Sequence, residues 1–100
     1  MAQFDIHAGK GEGVAYLLDL QDDLLGHLAT RVVAPLVAPE TLGPAMKTVN
    51  PRIAVNGVDH ILLTHLLAAV PHAALGDPVG TAKMQRAEIV ASLDLLFTGI

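Results

Sequence analysis

Near its start the chain alternates between apolar and polar positions, which is typical of a short strand with one buried face. In QFDIHA, Phe4 and Ile6 fall on one side, and Asp5 and His7 fall on the other. The glycine-rich GKGEG that follows favours a turn before a second apolar run, VAYLLDL. The pattern therefore predicts a hairpin with strands at residues 3–8 and 14–20 and a turn at residues 9–13.

The sequence pattern in the middle of the chain predicts three further strands. TRVVAPL, residues 30–36, forms one, and Pro35 marks an edge strand or the strand's end because proline has no N–H to donate. Asn56-Gly57 lies between apolar runs and supplies the positive φ angles of a type I′ turn. This turn predicts a hairpin with strands at Arg52–Val55 and Val58–Thr64.

Two shorter elements are predicted around these strands, and a helix is predicted after them. A single helical turn is expected around Glu40, and a short strand around Ala73–Leu75. From about Thr81 no glycine or proline occurs until Gly99, which ends the predicted helix. The apolar face of this helix is predicted to contain Arg86, Ile89, Leu93, Leu96 and Phe97, with Glu88 and Asp94 off it.

Composition and charge narrow the class of protein. The chain of 100 residues is 52% hydrophobic and only 16% charged, so we expect one domain whose apolar surface is covered in part by a second copy or a partner. Its net charge is −4 and its six cationic residues are dispersed, which argues against nucleic-acid binding. The absence of a signal peptide and of a long apolar run predicts a cytoplasmic protein without a membrane segment.

The chain offers little catalytic or metal-binding chemistry. It has no cysteine, and its five histidines lack the spacing of a zinc site, so no metal and no cofactor are expected. Asp22-Asp23 is interpreted as a solvated acidic turn, and no nucleophile motif surrounds any hydroxyl group. The remaining unusual features are Leu24-Leu25 in an acidic loop and the apolar last helix. Leu24-Leu25 is either a binding surface or a plug that fills the core from a loop.

The order of several segments resembles that of the CcdB family of toxins. The similarity covers the whole chain, and its specificity lies in the ordered set of segments, closed by Phe-x-Gly-Ile, since no single segment is decisive. The segments that carry it are Gln3-Phe4, LLDLQDDLL at residues 17–25, RVVAPL at residues 31–36, AAVPHAALGDPV at residues 68–79 and the closing LDLLFTGI.

The resemblance implies a mainly β, α+β fold: a small SH3-like antiparallel barrel or sheet with a C-terminal helix. It implies a homodimer that binds the A subunit of DNA gyrase, traps the enzyme on cleaved DNA without catalysing a reaction, and is neutralised by a CcdA-like antitoxin. The residues it implies for gyrase binding are Leu24, Leu25, Asp94, Phe97, Thr98, Gly99 and Ile100. Those it implies for the dimer interface are Leu63 and Leu96.

Two positions depart from the family's best-known members, which carry Trp in place of Thr98 and Asn in place of Asp94. An aromatic side chain at an interface centre contributes about 2–4 kcal/mol. The alternative hypothesis is therefore a degenerate homologue that keeps the dimer and antitoxin binding and has lost gyrase poisoning. A MazF-like ribonuclease on the shared fold ranks last, because it needs a basic RNA groove and an acid–base pair.

Overall fold

Seven strands in the described part of the chain form one curled antiparallel sheet, and a helix follows the last strand. The structure is a computed structural model and describes residues 2–9, 11, 13–42 and 49–100. The strands are β1 (Asp5–Ala8), β2 (Tyr16–Asp19), β3 (Thr30–Val37), β4 (Arg52–Val55), β5 (Val58–Leu62), β6 (Ala68–Pro71) and β7 (Pro78–Thr81). The α-helices are α1 (Pro39–Leu42) and α2 (Arg86–Thr98). The predicted fold class, mainly β with a C-terminal helix, is confirmed.

Strand β3 is the centre of the sheet, whose order is β4-β5-β3-β2-β1-β7. One side of β3 pairs with β2, and the other pairs first with β6 and then with β5. Pro35 was predicted to mark an edge strand or the strand's end: β3 is not an edge strand, and it ends two residues after Pro35, at Val37. The missing N–H of Pro35 is tolerated because this residue falls between the β6 pairing, which ends at Val33, and the β5 pairing, which begins at Leu36.

Both predicted hairpins are confirmed: β4 has the predicted bounds, and the other three strands are shorter than expected. In the first hairpin β1 pairs with β2, and β1 begins at Asp5 because Phe4 has a left-handed backbone with φ of 68°. Its turn, residues 9–13, lies partly outside the described residues. In the second, Asn56 and Gly57 have φ of 53° and 80°, as a type I′ turn requires.

The segment after β5 differs most from its prediction. The strand predicted at Ala73–Leu75 is wrong: the strand is β6, and His72–Ala74 forms a 3₁₀ turn. Strand β5 ends at Leu62 instead of Thr64, which begins another 3₁₀ turn. The predicted helical turn around Glu40 is confirmed as α1.

The helix begins five residues later than predicted and ends where predicted. Thr81 ends β7, and Lys83–Gln85 forms a 3₁₀ turn before α2 begins at Arg86. Gly99, with φ of 77°, donates its N–H to the carbonyl of Leu95 and so closes the helix as a left-handed cap.

The core lies between the sheet and one side of α2. Ile89 is fully buried in it, together with Ile6, Leu18 and Ile53. The predicted apolar face of α2 is only partly correct, because Arg86, Leu96 and Phe97 are exposed in the single chain. The strand β1 was expected to have one buried face, that of Phe4 and Ile6, but His7 on the other face is fully buried as well, and its Nδ1–H donates to the carbonyl of Gly76 at 2.7 Å.

Candidate binding surfaces

The first candidate surface is formed by Leu24 and Leu25, here called the loop surface, on a 3₁₀ turn between β2 and β3. The side chain of Leu24 is 86% exposed and that of Leu25 is 45% exposed. The interpretation of this pair as a plug for the core is therefore wrong for Leu24. Two adjacent leucines that are both exposed form a small apolar patch, and exposed apolar patches are candidate contact sites for another protein.

The start of the loop surface is held by the two aspartates that precede it. The carboxylate of Asp22 caps the turn by accepting the N–H of Leu24 at 2.9 Å. The carboxylate of Asp23 accepts the N–H of Gln3 at 2.7 Å and so ties the turn to the N-terminal segment. The pair predicted to be a solvated acidic turn therefore also supports the turn structurally, and an aspartate directly before an apolar helical turn is a recognisable capping signal.

The end of the loop is held by Gln21, which the sequence interpretation did not single out. Its side-chain amide N–H groups donate to the carbonyls of Leu25 at 3.1 Å and Thr30 at 3.2 Å. Its side-chain oxygen accepts the N–H of Val32 at 3.0 Å. One buried side chain thus joins the loop surface to the first residues of β3. These bonds span four to eleven positions along the chain, so no hydrophobic pattern reveals them.

A buried ion pair between Arg31 and Asp19 is bonded to the backbone of Gln21. The guanidinium group of Arg31 binds the carboxylate of Asp19 through two hydrogen bonds of 2.9 Å, and both side chains are buried. The same guanidinium donates to the backbone carbonyl of Gln21 at 2.8 Å. Because Arg31 is enclosed and paired in this way, it is not available to bind the phosphate backbone of a nucleic acid.

The second candidate surface, here called the helix-end surface, contains Asp94, Phe97, Thr98, Gly99 and Ile100. The side chains of Phe97 and Ile100 are 69% and 91% exposed. The helical spacing places Phe97 on one face with Ile89 and Leu93, which predicts that it packs inward, and its exposure contradicts that prediction. Two large apolar side chains therefore face solvent around the left-handed cap at Gly99.

The polar members of the helix-end surface interact with each other. The hydroxyl of Thr98 donates to the backbone carbonyl of Asp94 at 2.7 Å. This bond turns the hydroxyl back onto the helix, where it is engaged before any partner binds. The side chain of Asp94 is exposed on the preceding turn.

The structure does not bring the two surfaces together within one chain. Asp23, next to Leu24, lines an open cleft of about 270 Å³ that Arg86 also lines, at the N-terminal end of α2. Phe97 lies near the other end of this helix. At a rise of 1.5 Å per residue, the eleven steps from Arg86 to Phe97 along the helix span roughly 16 Å. A partner that contacts both surfaces of one chain must therefore cover most of the length of α2.

The two residues predicted for the dimer interface have different environments. Leu63 is buried in the single chain, where it packs with Val37 and Ile61. Leu96 is 37% exposed, on the outer side of α2. Leu96 is thus accessible to a second copy without rearrangement. The placement of both residues at a dimer interface stays a prediction.

His7, His60 and His65 form side-chain hydrogen bonds with other parts of the fold. His60 is buried, stacks edge-to-face on Tyr16 with ring centroids 5.1 Å apart, and donates from Nδ1 to the carbonyl of Val58. His65 is exposed. No cluster of three or more potential metal ligands occurs among the residues the structure describes. Over the same residues, none of the helices is both long and apolar enough to span a bilayer.

Comparison with known proteins identifies a family whose fold is consistent with the curled sheet and C-terminal helix described above. The family model of the CcdB protein matches residues 3–99, nearly the whole chain. The chain belongs to the CcdB family. Membership of this family indicates a toxin of a toxin–antitoxin system. A search of curated proteins found no match. The family match covers both the loop surface and nearly all of the helix-end surface.

Proposed function

We propose that this CcdB-family protein is the toxin of a type II toxin–antitoxin system that binds the A subunit of DNA gyrase and traps the gyrase–DNA cleavage complex. The observation that carries the proposal is the exposure of Leu24, Phe97 and Ile100 in a member of this family. These side chains are large and apolar, and exposing them to water is unfavourable unless a partner covers them.

The proposed action is binding and includes no catalytic step. Leu24 and Leu25 contact gyrase from the loop surface, and Asp94, Phe97, Thr98, Gly99 and Ile100 contact it from the helix end. Phe97 is the expected centre of the second contact, because buried aromatic side chains dominate the free energy of many protein interfaces. The action requires no cofactor and no metal, and the protein works in the cytoplasm.

The active species in this proposal is a homodimer with Leu63 and Leu96 at its interface. Two copies present two loop surfaces and two helix ends to a partner. A CcdA-like antitoxin neutralises the dimer by covering the exposed apolar side chains. Direct binding to DNA or RNA and insertion into membranes form no part of the mechanism.

A gyrase cleavage assay tests the proposal. Purified protein is incubated with gyrase, ATP and supercoiled plasmid, and the DNA is then released with detergent and protease. We expect linear DNA to accumulate, and we expect the protein to bind the isolated A subunit in calorimetry. Absence of both linear DNA and A-subunit binding would contradict the proposal.

A second candidate function is a degenerate toxin that keeps the homodimer and antitoxin binding without poisoning gyrase. Two observations at position 98 favour it: the residue is a threonine and not an aromatic, and its hydroxyl already donates to the carbonyl of Asp94. Harmless overexpression together with retained binding of an antitoxin encoded beside the gene would support this candidate. Toxicity of the unmodified protein would exclude it.

A further inference from the structure

The side-chain amide of Gln21 bridges the two ends of the segment that carries the loop surface. It donates to the carbonyl of Leu25, within the surface, and to that of Thr30, the first residue of β3. It also accepts the N–H of Val32. These three bonds use most of the hydrogen-bonding capacity of one amide group. Gln21 is only 8% exposed, so water is a poor substitute for any of them.

The backbone of Gln21 is fixed as firmly as its side chain. Its N–H donates to the carboxylate of Asp19 at 3.0 Å, and its carbonyl accepts from the guanidinium of Arg31 at 2.8 Å. Asp19 and Arg31 are themselves joined by the buried ion pair. Asp19 and Arg31 therefore fix the backbone of Gln21 in a position from which its side-chain amide reaches the loop.

We propose that Gln21 is a positioning residue, which holds the loop surface in the conformation that binds the partner. This inference rests on the proposed function, because it assumes that the loop surface contacts gyrase. Leu24 and Leu25 make few contacts of their own with the core, since both are exposed. Their direction is therefore set by the backbone of the turn, which Gln21 fixes at Leu25. Holding a binding loop in place before the encounter removes the entropy cost of ordering it in the complex.

A purely structural contribution of Gln21 would have a different signature. If the side chain only stabilises the fold, its loss lowers the population of folded protein and leaves the folded form fully competent to bind. If it positions the loop, the folded form itself binds more weakly. Variants matched for stability at a distant site separate the two cases. Ile53 on β4 is such a site, because it is fully buried and β4 reaches β3 only through β5, at the end opposite Thr30.

Two variants of Gln21 and two of Ile53 make up the experiment. Gln21→Asn keeps the amide but shortens the side chain by one methylene, about 1.5 Å, so the three bonds no longer form together. Gln21→Leu removes them all. Ile53→Val and Ile53→Ala provide a mild and a severe loss of stability without touching the loop. If Gln21→Leu does not fold, Gln21→Asn and Ile53→Val form the comparison.

The first measurement is amide hydrogen exchange in the full chain without a partner. The N–H groups of Leu25, Gly26 and Leu28 bond to carbonyls within the same turn, so their exchange reports its opening. We expect these amides to exchange at least tenfold faster in Gln21→Asn than in an Ile53 variant of equal stability. Equal exchange in the matched pair would overturn the inference.

The second measurement is the affinity for the isolated gyrase A subunit, determined by calorimetry. We expect the Gln21 variants to bind about tenfold more weakly than Ile53 variants of equal stability, the loss expected when one or two side chains must be ordered on binding. Equal affinity would overturn the inference while the proposed function stands. If the unmodified protein does not bind the A subunit, the proposed function fails, and hydrogen exchange alone decides whether Gln21 holds the loop.

Discussion

Arg31 and Asp19 form a two-point ion pair with no access to water: Nε and Nη2 of Arg31 lie 2.9 Å from the two carboxylate oxygens of Asp19. The pair connects the last residue of β2 with the second residue of β3. Because Arg31 also bonds to the carbonyl of Gln21, one guanidinium joins the sheet to the segment that carries the loop surface.

Arg31→Leu is expected to lower the free energy of unfolding by about 3–5 kcal/mol, since it leaves the carboxylate of Asp19 buried without its partner. Urea denaturation measures this change. Arg52→Leu is the matched control, because Arg52 is exposed on β4 and its loss should change stability by no more than about 0.5 kcal/mol. Similar losses for the two variants would contradict the structural importance of the pair.

Gly57→Ala is expected to destabilise the protein by about 1–2 kcal/mol, because residue 57 has φ of 80°, where a side chain strains the backbone. Gly76→Ala is the control. Gly76 has no left-handed φ and no neighbouring atom within 4 Å of an added Cβ, so this change should be neutral or slightly stabilising. Thermal denaturation of both variants tests the prediction, and an equal shift in Tm would show that the turn tolerates alanine.

The same hairpin shows why part of the fold could be predicted from the sequence. Asn56-Gly57 fixes its own turn and the register of the two strands beside it, so local information is enough. Strand β6 is different, because Ala68–Pro71 becomes a strand by pairing with β3, nearly forty residues earlier in the chain. The residues of β6 carry no local pattern that identifies β3 as their partner strand. The start of α2 was placed too early for the same reason: Thr81 is taken by β7, which pairs with β1.

The candidate site likewise has some features that local sequence indicates and others that depend on contacts between distant residues. The exposure of Leu24 was one of two alternatives left open by the sequence, because a Leu-Leu pair between Asp22-Asp23 and Gly26 belongs to no periodic face. The role of Gln21 was not predictable, since its side chain bonds to backbone groups that only the folded sheet brings within reach. The interior position of Phe97 was wrongly expected, because the helical period identifies a shared face and does not tell how far the sheet extends beneath it.

Leu24→Ser tests the loop surface directly. Because this side chain is 86% exposed, the free energy of unfolding should change by no more than about 0.5 kcal/mol. Affinity for the gyrase A subunit should fall by about tenfold or more if Leu24 is buried in the complex. Met84→Ser is the matched control, since Met84 is 98% exposed and belongs to neither proposed surface. Equal binding by the two variants would remove Leu24 from the proposed contact.

Thr98→Trp tests whether the helix end limits the activity of this toxin. The change removes the hydroxyl that donates to the carbonyl of Asp94 and adds a large aromatic surface beside Phe97 and Ile100. If gyrase covers this end of α2, the added side chain should increase affinity for the A subunit by about 30-fold or more, the effect of about 2 kcal/mol at an interface centre. Calorimetry and the yield of linear plasmid in the cleavage assay measure it.

Met84→Trp is the control for that substitution, because it adds the same exposed aromatic at a position before α2 and outside both surfaces. Nonspecific adhesion of an exposed tryptophan would raise binding in both variants equally, whereas a specific contact raises it only for Thr98→Trp. Toxicity on induction should follow the same order in cells. If Thr98→Trp gains neither affinity nor toxicity while the unmodified protein poisons gyrase, position 98 lies outside the contact, and Phe97 with Ile100 accounts for the apolar part of the helix end.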